Sequence, residues 1–174
     1  MSKRTRQYLG LIVAIISYYM IHEGAHLVYA MTIGVYKRIN MIGLGVQVDV
    51  FAEKMTDIQM GVFCIVGSLA TLITGYILVG IINVLIKVPS DVFKACMFYV
   101  TIIMLFMDPI YLCFLYSLFG GGDMNGISLI MPEIVARILY AFFLAVNTGI
   151  FIKIVLPKYK ISFEQEQVTV IRVI

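Results

Sequence analysis

The sequence predicts an all-α membrane protein, with about four transmembrane helices and a short membrane-associated β element after helix one. Three observations carry this. Of the 174 residues, 61% are hydrophobic and 13% charged, against about 45–50% and about 25% in ordinary soluble domains. A water-soluble fold of this size has no way to hide so much apolar surface. Four stretches also reach the roughly 20 apolar residues that cross a bilayer. Between the first two lies the one interior stretch of period-two alternation, "VQVDVF". The length suits a single transmembrane domain over residues 1–174.

Helix one is expected at about residues 8–33, behind the basic residues Lys3, Arg4 and Arg6. A cleaved signal peptide competes for this stretch: "SKRTR" as basic region, "LGLIVAIISYYMI" as apolar region, "VYA" as cleavage site. The ionisable groups between His22 and Ala30 argue against it, and the mass of the mature protein decides it. The next segment, "KRINMIGLGVQVDVFAEK", is too short and too punctuated to span. Residues 39–52 read as a β-hairpin or single strand at or dipping into the membrane, with Gly43 and Gly45 before the alternating run. A strand edge in lipid needs a partner or water, so this element implies a cavity.

Helix two is expected at about 60–86. Its Gly67, Thr71 and Gly75 fall on one face, where small residues let helices pack closely. The short Pro89 connection makes helices two and three a hairpin, with helix three at about 95–119 and helix four at about 130–156. The tail, 157–174, alternates weakly in "VTVIRV" and is expected to add a strand at the membrane surface. Cys64, Cys96 and Cys113 are isolated in apolar runs and read as small core residues. No basic stripe with interleaved aromatics is present, so nucleic acid is not an expected partner. Lys3, Arg4 and Arg6, then Lys87 and Lys94, then Lys158, Lys160 and Arg172 flank three ends that the positive-inside rule puts in the cytosol. A multi-pass protein of the cell membrane is expected.

Inside helix one stands "HEGAH". On a helix, His22 and His26 lie one turn apart on one face and can share a Zn²⁺ ion. Glu23 is placed to act as general base towards a water beside that ion and to hand the proton to a leaving amine. Gly24 and Ala25 are small enough to admit neighbouring helices. With hydrocarbon entered near Leu9, His22 lies about 20 Å along the helix, a depth at which ionisable residues mark functional or wet sites. The bland reading is a polar knot that only packs helices. Against it, both histidines of the chain fall within five residues of each other, with the glutamate in place.

A catalytic zinc takes a third protein ligand. Two aspartates compete. Asp108, in "MLFMDPIYL", matches His22 in depth, and Pro109 after it kinks the helix and frees a carbonyl. Asp123, in "LFGGGDMNGI", follows glycines that permit a tight turn, and reaches the metal only if the segment dips inward. Asn125 is a candidate for holding a substrate backbone, or a turn residue. Glu133 and Arg137, spaced i, i+4, read as an ion pair.

On "HEGAHLVYAMTIGV" in a transmembrane helix, the glycine-containing extended stretch after it and "GGGDMNGI" downstream, the chain resembles the site-2 protease family of intramembrane zinc metalloproteases over about residues 8–135. The resemblance implies His22, His26 and Asp123 as zinc ligands and Glu23 as catalytic base. It implies residues 41–51, with Gly43 and Gly45, as the element that pairs with an unwound substrate strand. The expected partner is then a membrane protein with a transmembrane segment, in the lipid bilayer. Leu115 and Leu118 stand where the family pattern has Asn and Pro, and its Asp-Gly pair is split into "DMNG". The family also commonly keeps the loop after the HExxH helix cytosolic, opposite to the positive-inside reading. Two other classes compete: a non-catalytic membrane chaperone or assembly factor with this fold, and a small transporter or channel subunit. The last predicts more ionisable residues along one helix face than the sequence has.

Overall fold

The computed structural model describes residues 2–42, 45–120 and 122–173. Its elements are α1 (Lys3–Thr32), β1 (Tyr36–Ile42), β2 (Gly45–Val50), α2 (Asp57–Gly80), α3 (Ile82–Leu85), α4 (Asp91–Ile110), α5 (Gly122–Ile127), α6 (Glu133–Ile150) and α7 (Leu156–Val173). Among the described residues, four helical stretches are long and apolar enough to cross a membrane: Lys3–Thr32, Asp57–Gly80, Asp91–Leu118 and Glu133–Glu164. The chain is a multi-pass membrane protein with a small two-stranded antiparallel sheet after the first helix. Large apolar side chains such as Ile12, Ile16, Ile77, Ile138 and Phe142 cover the outside of the bundle, as lipid rather than water requires.

On α1 the inward stripe is Gly10, Ala14, His22, His26 and Ala30, every one buried and all on a spacing of four. Each step of four overshoots the 3.6-residue turn by about 40°, so the stripe winds round α1, from Gly10 against α4 to His26 against α2. Small residues dominate it because the backbones run close: a Cβ on Gly10 would sit 2.7 Å from the Tyr99 ring and 3.0 Å from the Ala95 carbonyl. Thr56 and Gln59 form a reciprocal cap that starts α2, and the Ser90 hydroxyl caps α4.

Pro109 deprives the Leu105 carbonyl of its helical donor. Asn147 of α6 donates its side-chain amide to that carbonyl, and its own oxygen accepts from the Tyr76 hydroxyl at 2.8 Å. Beyond the proline the helix widens into a π turn, Tyr111–Leu115, then tightens into a 3₁₀ turn, Tyr116–Phe119. Gly120, at φ 81°, ends it. The chain then folds back, and α5 buries Met124 and Ile127 against the bundle.

β1 pairs with β2 through Arg38 opposite Asp49, Ile39 opposite Val48 and Met41 opposite Val46. The expected element is thus a complete hairpin, begun a few residues earlier than the alternation indicated. Gly34, at φ 73°, makes the turn into it from α1. The tail corrects the sequence reading: Leu156–Val173 is helical, joined to α6 through the π turn Phe151–Val155, and adds no strand. Extending an existing helix avoids the nucleation cost, which outweighs a short alternating pattern with no sheet beside it.

Candidate functional site

The site is built where α1, α2, α4 and α5 meet. Arg6 at the start of α1 forms an ion pair with Asp91 at the start of α4. From that level His22 is 16 residues along one helix and Asp108 is 17 along the other, about 24–26 Å in both cases. The depth match expected of Asp108 and His22 therefore holds. It also puts the site in the far half of a hydrocarbon layer about 30 Å thick. A segment returning from that far face has little distance to cover, and Asp123 reaches the histidines.

His26 Nδ1 lies 2.7 Å from the Phe63 carbonyl of α2. A carbonyl only accepts, so Nδ1 carries the proton, and Nε2 of a neutral ring presents a lone pair. His26 Nε2 and His22 Nε2 are 3.1 Å apart. Asp123 Oδ2 is 3.2 Å from His22 Nε2 and 3.6 Å from His26 Nε2. Three donor atoms thus converge from two elements. Four ligands around a tetrahedral ion at about 2.0–2.1 Å stand about 3.3–3.4 Å from one another, and these separations bracket that value.

Glu23 points beside this triangle. One ligand atom from each of His22, Glu23 and His26 falls within 4.8 Å of the others. Its Oε2 accepts from the backbone N–H of Val48, on β2, at 3.0 Å. Asp108, 1% exposed, stands on the opposite side of His22: its Oδ1 is 3.3 Å from Nδ1. The two atoms are close but off the hydrogen-bonding direction, and Nδ1 has no aligned partner. Of the two competing aspartates, then, Asp123 faces both Nε2 atoms and Asp108 faces the far nitrogen of one ring.

Gly67 shapes the space. A Cβ there would lie 2.5 Å from His26 Nε2 and 2.8 Å from His22 Nε2. The sequence shows Gly67 only as a packing residue; its role against the ring nitrogens depends on how α1 and α2 are set face to face. Gly24, by contrast, has nothing within 4 Å of the point where a Cβ would stand, so its small size serves no helix contact. Cys64 packs against Gly126, whose lack of a side chain lets α5 settle on α2. Tyr18 and Thr71 also enter the site, both through Asp108. Tyr18 had a legible signal, one turn before His22; Thr71 had none beyond its helix face.

The remaining candidates fall elsewhere. Asn125 donates its side-chain amide to the Gly120 carbonyl at 3.1 Å and so closes the turn. Gly45 opens β2 opposite Ile42, and Gly43 lies outside the described residues. Glu133 and Arg137 are the expected ion pair at 3.7 Å, with the Tyr116 hydroxyl on Glu133.

No protein-family model, curated protein or solved structure matches the chain.

Proposed function

We propose that this chain is an intramembrane zinc metalloendopeptidase, similar to the site-2 protease family, that cleaves transmembrane segments of partner proteins in the cell membrane. The observation that carries the reading is the triangle of His22 Nε2, His26 Nε2 and Asp123 Oδ2, with sides of 3.1, 3.2 and 3.6 Å. Its donor accounting favours a cation. Two imidazoles meet three carboxyl groups, those of Glu23, Asp108 and Asp123, inside an apolar bundle, where uncompensated charge is costly. A divalent ion relieves that imbalance, and nitrogen and carboxylate donors suit zinc.

His22, His26 and Asp123 would hold the zinc, which when bound would supply Lewis acidity towards a scissile carbonyl and an attacking water. Glu23 takes the proton of that water and passes it to the leaving amine. The hairpin strand β2 would offer its edge to an unwound substrate once the Val48 amide is released from Glu23, replacing the amide bonds lost from the substrate helix. The test is metal analysis together with proteolysis of co-expressed single-span membrane proteins. Glu23→Gln is expected to keep zinc and lose cleavage; undiminished cleavage in that variant overturns the mechanism.

The split "DMNG" favours one other reading, a non-catalytic membrane chaperone or assembly factor with the same fold. Stoichiometric zinc with no cleavage of any single-span protein by the wild type would favour it.

A further inference from the structure

Asp108 is nearly inaccessible, deep in the bundle, and is more heavily coordinated than helix packing requires. The Tyr18 hydroxyl donates to its Oδ1 at 2.6 Å. The Thr71 hydroxyl, which is also 2.9 Å from the Ser68 carbonyl, lies on its Oδ2. The Tyr18 ring leans over the His22 imidazole, with centroids 5.2 Å apart. These groups come from α1 and α2, so the carboxyl carried by α4 is held by two neighbouring helices. The one polar atom it faces without an aligned bond is His22 Nδ1, 3.3 Å from Oδ1 and itself without another partner.

The two histidines differ in this respect. His26 has a backbone carbonyl to orient its ring and keep the proton on Nδ1. Among the described residues no carbonyl plays that part for His22, and Asp108 is the acceptor within reach. We infer that Asp108 is the positioning residue of His22: clamped by Tyr18 and Thr71, it holds the Nδ1 proton and directs Nε2 into the triangle with His26 and Asp123. Orientation of a ligating imidazole by a carboxylate on its other nitrogen both fixes the tautomer and raises the basicity of the ligating atom. It also removes Asp108 from the ligand set, because both of its oxygens are engaged away from the Nε2 side. This inference rests on the zinc reading above.

The experiment is zinc competition against a chelator for the purified full chain in detergent, with wild type, Asp108→Ala, Asp108→Asn, Tyr18→Phe and Thr71→Val. Cobalt(II) absorption spectra and ¹⁵N-histidine spectra accompany it; with two histidines in the chain, assignment needs one His26 variant. Expected are a roughly 10–100-fold loss of zinc affinity in Asp108→Ala, a smaller loss in Asp108→Asn, which keeps an acceptor oxygen, and smaller losses still in Tyr18→Phe and Thr71→Val. The cobalt coordination number should stay unchanged throughout, and the His22 Nδ1–H signature should weaken with Asp108→Ala. A residue that merely packs would leave zinc affinity and the tautomer signal alone. If Asp108→Ala fails to fold, Tyr18→Phe and Thr71→Val decide: wild-type affinity in both overturns the assignment. Wild-type affinity in Asp108→Ala, or a change of cobalt coordination there, overturns it while leaving the zinc site standing. A wild type that takes up no zinc overturns both readings.

Discussion

Glu23 Oε2 accepts a hydrogen bond from the backbone N–H of Val48 at 3.0 Å. This contact joins the HExxH helix to the hairpin, and strand geometry gives it a direction. Phe51 donates its N–H to the Val35 carbonyl, on the β1 side. Backbone groups alternate sides along a strand, so Val46, Val48 and Val50 present theirs to the opposite edge. Glu23 therefore occupies the edge amide that an added peptide strand would also need.

Removing the carboxylate should loosen that edge. In Glu23→Ala the Val48 amide loses a charge-assisted partner worth about 1.5–3 kcal/mol, and its hydrogen exchange is predicted to speed up by roughly 10–100-fold. Glu23→Gln retains an acceptor oxygen and should stay close to wild type. Equal exchange at Val48 in wild type and Glu23→Ala would show that the bond does not form in the membrane.

Gly67 and Gly75 share one face of α2 but meet different neighbours. A methyl at Gly67 runs into two ring nitrogens; one at Gly75 meets the Leu105 side chain, 2.7 Å from Cδ2, which has rotamer freedom to yield. Gly67→Ala is predicted to abolish zinc binding while the protein stays folded. Gly75→Ala should cost about 1–3 kcal/mol of stability through overpacking and keep its zinc. Metal analysis and thermal unfolding of both variants separate the two effects.

Asn147 is buried to satisfy a carbonyl that Pro109 leaves free. Asn147→Leu should therefore cost about 1–3 kcal/mol, the penalty of an orphaned buried acceptor. Pro109→Ala supplies a helical N–H to the same carbonyl, so the double variant should be less destabilised than the two single changes combined. Strict additivity in thermal unfolding would break the connection.

The basic ends gather at one face. Arg6 pairs with Asp91, and Lys158 Nζ donates to Asn83 Oδ1 at 2.6 Å. The N-terminus, the Pro89 connection and the start of the tail thus share a side, which the positive-inside rule predicts to be cytosolic. Single cysteines at Ser2 and Val88 should label with an impermeant maleimide only after cells are opened, while one at Asn40, on the hairpin, should label in intact cells. The native cysteines are all buried. The reverse pattern would invert the topology.

The sequence by itself determined what depends on neighbours along the chain. Long apolar runs dictate membrane helices, because backbone groups in lipid must be satisfied within their own segment. The i, i+4 spacing puts His22 and His26 on one face wherever that helix goes, and Glu133 with Arg137 follows the same rule. Local pattern failed in the tail, where an alternating run was absorbed into a helix already under way. Only the tertiary structure decided which aspartate meets the two Nε2 atoms. Asp123 is 101 residues from His22, and its approach depends on a π turn after Pro109, a left-handed Gly120 and the room that Gly126 leaves for Cys64. Gly67, Tyr18 and Thr71 were undecided for the same reason: their roles come from the facing of separate helices, which packing sets and periodicity along one helix does not encode.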